Sequence, residues 1–305
     1  MASSERGSII LGSVTAICVV FFWSGWIVIS RLGVTGHLTI FDLTGLRHGI
    51  GAVVALPYII WSRAWRGLTP WRTLILTLTA GAPYALLSYS GFIYAPAAHG
   101  GVFLNGCLPI FTTLFAWIWL GQRSRFSQMV GLVIILAGVT LVGYEGFLSS
   151  GGSMTWIGDL LFLAAIALFA LFMVANQVWS VNPGQVIFSI TIVPAVVYTP
   201  IWLLWLDSNL TSAPASEIIL QGAYQGLVPS VVGISCLNIA VRHIGPRATS
   251  ALVSSVPVVA ALAAIPVLNE LPGLPAWIGM ITVSFGILLA LGIIGFHQQV
   301  ATAGE

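Results

Sequence analysis

Apolar stretches of about 20 residues follow one another along almost the whole chain, separated by short polar connections. A helix that crosses a membrane needs about 20 mostly apolar residues, and by that rule the sequence predicts ten spans. We place them at residues 8–30, 43–62, 72–94, 98–120, 127–147, 157–179, 185–206, 217–241, 247–268 and 275–296. The predicted fold class is therefore an all-α integral membrane protein with ten transmembrane helices.

The composition excludes a water-soluble globular protein. Apolar residue types make up 58% of the 305 residues and charged types only 6%, whereas a soluble domain carries roughly 25% charged residues. Such a chain cannot cover a water-facing surface with charge. The formal net charge of +2 is also too small to indicate nucleic-acid binding. The lipid bilayer is therefore the expected partner, with no nucleic acid.

The reactive residue types point away from cofactor chemistry. The sequence contains no lysine, which excludes a Schiff base and a P-loop lysine. Cys18, Cys107 and Cys236 lie in separate apolar runs, without the short Cys/His spacing of a zinc site, and we interpret them as small buried side chains. We expect no metal and no cofactor. The first apolar run, 7–30, is longer than a signal-peptide core of about 7–15 residues, so we interpret it as a retained span.

One spacing pattern occurs in both halves of the chain. The first copy comprises Pro109, Gly121, Gly131 and Gly138, and the second, with the same steps of 12, 10 and 7 residues, Pro257, Asn269, Gly279 and Gly286. Self-similarity at half the chain length is typical of transporters built from two structural repeats. We therefore predict a first five-helix repeat at 1–148 and a second at 149–305. The Ser/Gly-rich stretch 145–155 is the predicted linker between them.

The arginines predict the orientation in the membrane. With a cytoplasmic N-terminus, eight arginines fall on the cytoplasmic side, Arg31 alone falls outside, and Arg47 lies within the second span. Five spans per half is an odd number, so the second half must enter the bilayer with the opposite orientation. The repeats are then inverted, and both chain ends are expected in the cytoplasm.

Short motifs along nearly the whole chain carry a family resemblance. They are Trp23-Ser24, Arg31, Arg47, Tyr94-Ala95, Pro109, Gly121-Gln122-Arg123, Gly131, Pro257, Asn269-Glu270 and Gly279. By these motifs the chain resembles ten-span, EamA-type members of the drug/metabolite transporter superfamily, and is most similar to the YddG-type aromatic amino-acid exporters. It departs from the family at Ser24, usually Gly, and at Gln122, usually Glu, which leaves Glu270 as the acidic hinge residue. The resemblance implies a carrier in a bacterial inner membrane that exports amino acids, aromatic ones among them. We expect a monomer, because two repeats already supply a complete carrier.

Paired interruptions of two spans predict where the substrate binds. Pro109 and Pro257 lie near the middle of spans four and nine, at equivalent positions of the repeat. A helix broken by proline in hydrocarbon must be repaired locally or open onto a cavity, and paired interruptions point to a midplane binding site. The alternative is a kink in a packed helix. We place the cavity between spans one, three and four and their counterparts six, eight and nine.

Polar and aromatic side chains within the spans complete the predicted cavity. Amides and hydroxyls can hold the two charged groups of a zwitterion, although the same groups commonly form hydrogen bonds between helices. Aromatic walls suit a flat apolar substrate, with lipid contact or core packing as the alternative. The predicted cavity residues are Trp23, Ser24, Tyr84, Ser88, His99, Asn105, Pro109, Phe169, Met173, Asn176, Gln225, Ser235, Ser250, Ser254 and Pro257.

Ionisable side chains near the spans have a structural and a functional interpretation. Arg47 lies about one turn inside the second span, where an arginine must reach outward, pair or line water. Asp42, five residues earlier, is the candidate partner, and we interpret Arg47 as structural. The candidate proton-coupling groups are His48, His99 and Glu270.

Two other classes of function are alternatives to a carrier. A membrane enzyme needs a Ser/His, paired-Asp or His/Glu metal constellation, and the sequence contains neither H-E-x-x-H nor G-x-S-x-G; we predict no enzyme. A passive channel usually shows rings of charge or a carbonyl filter, and neither is evident. The leading hypothesis is a secondary transporter that moves small organic solutes by alternating access. The alternative is a channel or uniporter, or a carrier of sugar phosphates, nucleotide sugars or drugs.

Overall fold

The computed structural model describes residues 2–149, 154–228 and 232–293, and within these ranges all regular structure is helical. The predicted linker at 145–155 therefore lies partly outside the described residues. In chain order the α-helices are α1 (Ala2–Thr35), α2 (Ile40–Ser62), α3 (Pro70–Ala80), α4 (Ala82–Tyr94), α5 (Ala97–Gly101), α6 (Leu108–Leu120), α7 (Phe126–Ser149), α8 (Thr155–Val178), α9 (Pro183–Ile187), α10 (Val193–Trp205), α11 (Ala215–Leu227), α12 (Gly233–Val253), α13 (Val256–Leu268) and α14 (Leu274–Ala290).

Six of the described helical stretches are long and apolar enough to cross a membrane. They are Gly7–Thr35, Ile40–Ser62, Ala97–Leu120, Phe126–Gly146, Thr155–Val178 and Pro183–Trp205. A seventh is formed if Ser235–Val253 and Val256–Leu268, which meet at a bend of 55°, are taken as one span. Large apolar side chains such as Trp61 (83% exposed) and Trp205 (74% exposed) face outward, as expected of a lipid-facing surface. The prediction of an all-helical membrane protein is confirmed.

The other predicted spans correspond to shorter helices with identifiable breaks. The third predicted span is divided into α3 and α4 at Gly81, whose φ of −92° and ψ of −137° are not helical. The eighth crosses residues 229–231, which lie outside the described ranges, and the tenth is represented by the 17 residues of α14. Hydropathy averaged over 20 residues does not detect such breaks, because they leave the mean composition unchanged.

Pro109 and Pro257 occupy equivalent places, but neither kinks the middle of an α-helix. Each is the second residue of a helix of 13 residues, α6 and α13 respectively, where its missing N–H has no partner to lose. Each of these helices also ends at a left-handed residue, Gly121 (φ 63°) and Asn269 (φ 55°). The break before α6 is the π-helical turn Val102–Gly106, a geometry that is frequent at functional sites.

α7 and α14 pack through glycines that allow their backbones to approach closely. A Cβ on Gly138 would lie 2.7 Å from the Gly279 carbonyl oxygen, and a Cβ on Gly286 would lie 2.9 Å from the Gly131 carbonyl oxygen. Gly131 thus faces Gly286 and Gly138 faces Gly279, so the two helices run antiparallel. This agrees with the expectation that small residues mark close helix contacts in membranes.

Polar contacts gather several helix ends at one end of the molecule, which we call the Arg31 end. Glu270, between α13 and α14, pairs with Arg31 near the end of α1 (Nε–Oε1 2.7 Å) and accepts from the Ala97 amide at the start of α5 (2.8 Å). Glu145 near the end of α7 accepts from the Gly273 amide (2.9 Å).

The connection between α1 and α2 reaches the same end through the loop between α10 and α11. There Asp42 accepts from the Asn209 amide at 2.9 Å, and the His37 Nδ1 lies 3.0 Å from Glu217 at the start of α11. The far ends of α2, α6 and α8 and the start of α3 therefore lie at the opposite end. Ring contacts of Trp179, after α8, with Trp119 in α6 (5.7 Å) and with the Arg72 guanidinium in α3 (5.6 Å) agree with this.

Candidate functional site

A cavity of about 570 Å³ opens between α6, α7 and α8, toward the end opposite Arg31. Small-molecule sites typically span about 300–1,000 Å³. Among its lining residues are Thr112, Thr113, Gln128, Met173, Asn176 and Gln177. Asn176 lies 17 residues beyond Asp159 on α8, which places it about 25 Å from the Arg31 end. The wall thus combines amides and hydroxyls with a methionine, a mixture suited to a solute that is part polar and part apolar.

Two of the predicted cavity residues, Met173 and Asn176, line this cavity. The Asn176 Oδ1 is buried and has no hydrogen-bond partner among the described residues, whereas Gln128 Nε2 donates to Thr113 Oγ1 at 3.2 Å. A buried acceptor without a donor is costly. Asn176 is therefore the lining group most in need of a partner from a solute or from water.

An aromatic face on α8 and α4 begins one helical turn from Met173 of the cavity. Phe169 lies one helical turn before Met173 on α8, and its ring centroid lies 5.2 Å from that of Tyr84 on α4. Phe172 follows at 5.6 Å from Phe169. The predicted residues Tyr84, Phe169, Met173 and Asn176 therefore come together along one face of α8.

Arg47 lies at the inner end of this aromatic face, which corrects the predicted pairing with Asp42. Its guanidinium carbon is 5.6 Å from the centroid of the Trp26 ring and 6.0 Å from that of Tyr84. Arg47 Nη1 is buried and has no hydrogen-bond partner among the described residues. The arginine is held by aromatic faces and not by a carboxylate.

Asp42 is instead fully occupied by other groups. Its Oδ1 accepts from Trp202 Nε1 at 2.9 Å and from Ser208 Oγ at 2.6 Å. Its Oδ2 accepts from the amides of Thr39 (3.0 Å) and Asn209 (2.9 Å). The first of these amides belongs to the N-cap of α2, so Asp42 fixes the start of that helix and leaves Arg47 without a counter-ion.

Gln225, another predicted cavity residue, is completely buried and fully engaged between helices. Its Oε1 accepts from the Tyr89 hydroxyl at 3.0 Å, and its Nε2 donates to Ser30 Oγ and to Gln221 Oε1, both at 3.1 Å. Gln221 in turn donates to the Ile29 carbonyl at 2.8 Å. This network joins α1, α4 and α11. Gln225 thus forms hydrogen bonds between helices, which is the alternative to substrate binding given above for such amides.

The predicted hydroxyl and amide groups elsewhere bond to backbone carbonyls. Ser24 Oγ donates across to the Val256 carbonyl at 3.1 Å, joining α1 to α13. The others bond to a carbonyl three or four residues earlier in the chain, namely Ser88 to Tyr84 (2.9 Å), Asn105 to Gly101 (3.2 Å) and Ser254 to Ala251 (2.7 Å).

The other predicted residues lie apart from the cavity. Trp23 packs beside Gly233 at the start of α12, and Ser235 is exposed on that helix. Pro257 is in close contact with Gly101, where an added Cβ would lie 3.2 Å from the proline Cα. Pro109 and Ser250 are partly buried in α6 and α12 and do not line the cavity.

Two of the three candidate proton-coupling groups, His99 and Glu270, lie at the Arg31 end. His99 Nδ1 lies 2.8 Å from Asp159 Oδ1 and both side chains are buried, while Glu270 is paired with Arg31. His48 is buried, and its Nε2 has no partner among the described residues. Sequence reasoning missed Asp159, although a carboxylate within an apolar run was itself a signal.

Comparison with known proteins identifies relatives of this chain. The profile of the EamA-like transporter family matches residues 10–144 and again residues 156–292. A probable terminal-alkyne amino-acid exporter of Streptantibioticus cattleyicolor is 23% identical over 240 residues, which is 74% of this chain and 75% of the relative. The human solute carrier family 35 member F6 is 30% identical over 144 residues, 41% of this chain and 38% of the relative.

Two further similarities are partial in sequence or limited to the fold. An uncharacterized transporter of Bacillus subtilis, YvbV, is 35% identical over 63 residues, 21% of this chain and 20% of that protein. A solved crystal structure superposes with a TM-score of 0.63 at 19% sequence identity, over 94% of this chain and 97% of the other. At that identity the likeness concerns the fold alone.

Proposed function

Because the chain belongs to the EamA-like transporter family, we propose that it is a secondary transporter that exports amino acids, aromatic ones among them, by alternating access. The family is one of transporters and not of enzymes. The name of the Streptantibioticus cattleyicolor relative, a probable amino-acid exporter, supports the substrate class. The observation that carries the proposal is the cavity lined by Met173 and Asn176, open toward one end of a molecule whose other end is closed by the Arg31–Glu270 and His99–Asp159 contacts.

The positions of the helix ends support ten crossings of the membrane. The ends of α1, α4, α7, α10 and α13, with the starts of the helices that follow them, gather at the Arg31 end through the contacts of Glu270, Glu145, Asp42 and Asp159. Between one visit to that end and the next, the chain crosses to the opposite end and back. Five such visits correspond to ten crossings, including those made by the shorter helices.

An inverted repeat of residues 1–148 and 149–305 is supported by the contact between α7 and α14. The shared spacing makes Gly131 equivalent to Gly279, and Gly138 equivalent to Gly286. The contacts pair Gly131 with Gly286 and Gly138 with Gly279. Exchanging each glycine for its equivalent in the other half therefore reproduces the same two contacts. That self-complementary pattern is the one a two-fold axis produces, and the family profile also matches the chain twice.

The direction of access follows from charge. Arg63, Arg66 and Arg72 lie at the end opposite Arg31, and arginines concentrate on the cytoplasmic side of membrane proteins. The cavity then opens to the cytoplasm while the Arg31–Glu270 and His99–Asp159 pairs close the outer side. We propose a bacterial inner-membrane location with both chain ends cytoplasmic, and a monomer, because two halves already supply a complete carrier.

Counterflow in proteoliposomes tests the proposal. Vesicles loaded with unlabelled amino acid should accumulate the labelled amino acid saturably, whereas sugars and nucleotides should give no such stimulation. Asn176→Ala should reduce the flux because it removes the unpaired acceptor of the cavity. Asn238→Ala, a matched change at an exposed position of α12, should leave it unchanged. Flux that neither saturates nor responds to solute on the far side would identify a channel and contradict the proposal.

A further inference from the structure

Arg47 is a cation in a membrane-embedded helix for which the structure provides no anion. An arginine inside a span is costly unless it pairs, reaches the interface or lines water. Among the described residues no carboxylate forms an ion pair with Arg47, since the pairs formed are those of Arg31, His37 and His99. Asp42, the closest acid along the chain, is occupied by four donors.

A second donor beside Arg47 is also without an acceptor. The Trp26 ring lies under the guanidinium at 5.6 Å, and within the described part of the chain both Trp26 Nε1 and Arg47 Nη1 are buried without a partner. The neutral polar group beside both donors is the Tyr89 hydroxyl, which gives its own proton to Gln225 Oε1 at 3.0 Å and carries no charge to balance the arginine. The site therefore has an excess of donors and one positive charge.

A carboxylate is the complement of such a site. A guanidinium binds a carboxylate through two parallel N–H···O bonds, which are stronger than neutral hydrogen bonds, and the indole N–H supplies a third donor. The adjoining wall is aromatic, formed by Tyr84 and Phe169, and it continues to Met173 in the cavity. A ligand with a carboxylate at one end and a flat apolar body matches this succession.

We propose that Arg47 and Trp26 form the carboxylate subsite of this carrier, with Tyr84 and Phe169 as the wall against which the apolar side chain of the substrate packs. The inference rests on the proposed function and sharpens its substrate class to α-amino acids read by their carboxylate. Asn176 lies about 10 Å along α8 from Phe169, too far to contact the α-ammonium of an amino acid held at Arg47. Asn176 therefore belongs to the entry path, and Arg47 to the bound state.

The test uses the full chain with three substitutions. Arg47→Gln removes the charge, and Trp26→Phe removes only the indole donor while keeping a ring. Arg72→Gln is the matched control, since Arg72 also lies over a tryptophan, Trp179, at 5.6 Å, but outside the site. If Arg47→Gln does not fold, Arg47→Lys keeps the charge and loses the two-pronged geometry. Monodispersity and thermal unfolding in detergent establish that each variant is folded.

The probes separate the carboxylate from the rest of the substrate. Competition with labelled L-phenylalanine in counterflow is compared for L-phenylalaninamide, which lacks the negative charge, and 3-phenylpropionate, which lacks the ammonium. In the wild type and in Arg72→Gln the amide should compete at least about tenfold more weakly than phenylalanine, the scale of a charge-assisted hydrogen bond. In Arg47→Gln phenylalanine itself should weaken by about tenfold or more, and its advantage over the amide should vanish.

The outcomes distinguish this inference from the proposed function. Wild-type transport of phenylalanine with an unchanged preference over the amide in Arg47→Gln would overturn the carboxylate subsite and leave the carrier standing. If the wild type transports no amino acid, the proposed function fails, and thermal shift with 3-phenylpropionate then decides the subsite. Stabilisation by this anion that Arg47→Gln loses supports it, and no stabilisation of the wild type overturns it.

Discussion

Gly138 and Gly279 face each other so closely that a Cβ on either would lie 2.7–2.8 Å from the carbonyl oxygen of the other. The contact joins α7 to α14 at positions that the repeat spacing does not make equivalent. The contact of Gly131 with Gly286 repeats the relation with the roles of the two halves exchanged. This pair of contacts is the one that the proposed internal repeat predicts for α7 and α14.

Substitution of these glycines should therefore be destabilising to a similar extent in both halves. We expect Gly138→Ala and Gly279→Ala each to lower the free energy of unfolding by about 1–3 kcal/mol, because the added methyl group overpacks a backbone contact. Gly49→Ala in α2 is the control, since no atom lies within 4 Å of an added Cβ there; alanine should be neutral or stabilising. Thermal unfolding in detergent measures the effect, and equal melting temperatures for all three variants would contradict it.

The Arg31–Glu270 pair should couple more strongly than an exposed pair at the same end. Both side chains are about one-fifth exposed, and Glu270 also accepts from the Ala97 amide. A double-mutant cycle of Arg31→Ala and Glu270→Ala should give a coupling energy of about 0.5–3 kcal/mol. The cycle for His37 and Glu217, in which the His37 side chain is 66% exposed, should give at most about 1 kcal/mol. A larger coupling in the exposed pair would refute this ranking.

His99 and Asp159 should be needed together. Both side chains are buried, so His99→Phe leaves a buried carboxylate without its partner, at a cost of about 3–5 kcal/mol. The double variant His99→Phe with Asp159→Leu removes both polar groups and should recover much of that loss. Chemical or thermal unfolding of the three variants provides the measurement. A double variant less stable than His99→Phe alone would show that the polar pair is not the source of the cost.

Hydropathy alone predicted the fold class and most helices, because in a bilayer the backbone must satisfy its own hydrogen bonds and only long apolar helices or closed barrels do so. It did not predict where helices break. The breaks at Gly81 and at Cys107 lie inside apolar runs whose mean composition is unchanged. Both breaks lie where a distant helix packs closely, since an added Cβ would lie 2.8 Å from Pro194 at Gly81 and 2.6 Å from Val283 at Gly106. Such long-range contacts are absent from a local pattern.

The candidate site was predicted only in part, for a related reason. Met173 and Asn176 were found because polar and large residues recur on one face of a single helix. The environment of Arg47 was not found, because Asp42 is satisfied by Trp202, Ser208 and Asn209, more than 150 residues later in the chain. A local spacing of five residues suggested a pair that long-range contacts exclude.

The proposed carrier requires two halves of opposite orientation, and labelling of single cysteines tests this directly. In a variant with Cys18, Cys107 and Cys236 replaced by alanine, one cysteine is introduced at Ser4, Thr211 or Ala303, and an impermeant maleimide is added to intact cells. We expect the Thr211 variant, in the loop between α10 and α11, to be labelled in intact cells, and the Ser4 and Ala303 variants only after the membrane is opened. Labelling of Ser4 and Ala303 from opposite sides would contradict an even number of crossings, and with it the inverted repeat.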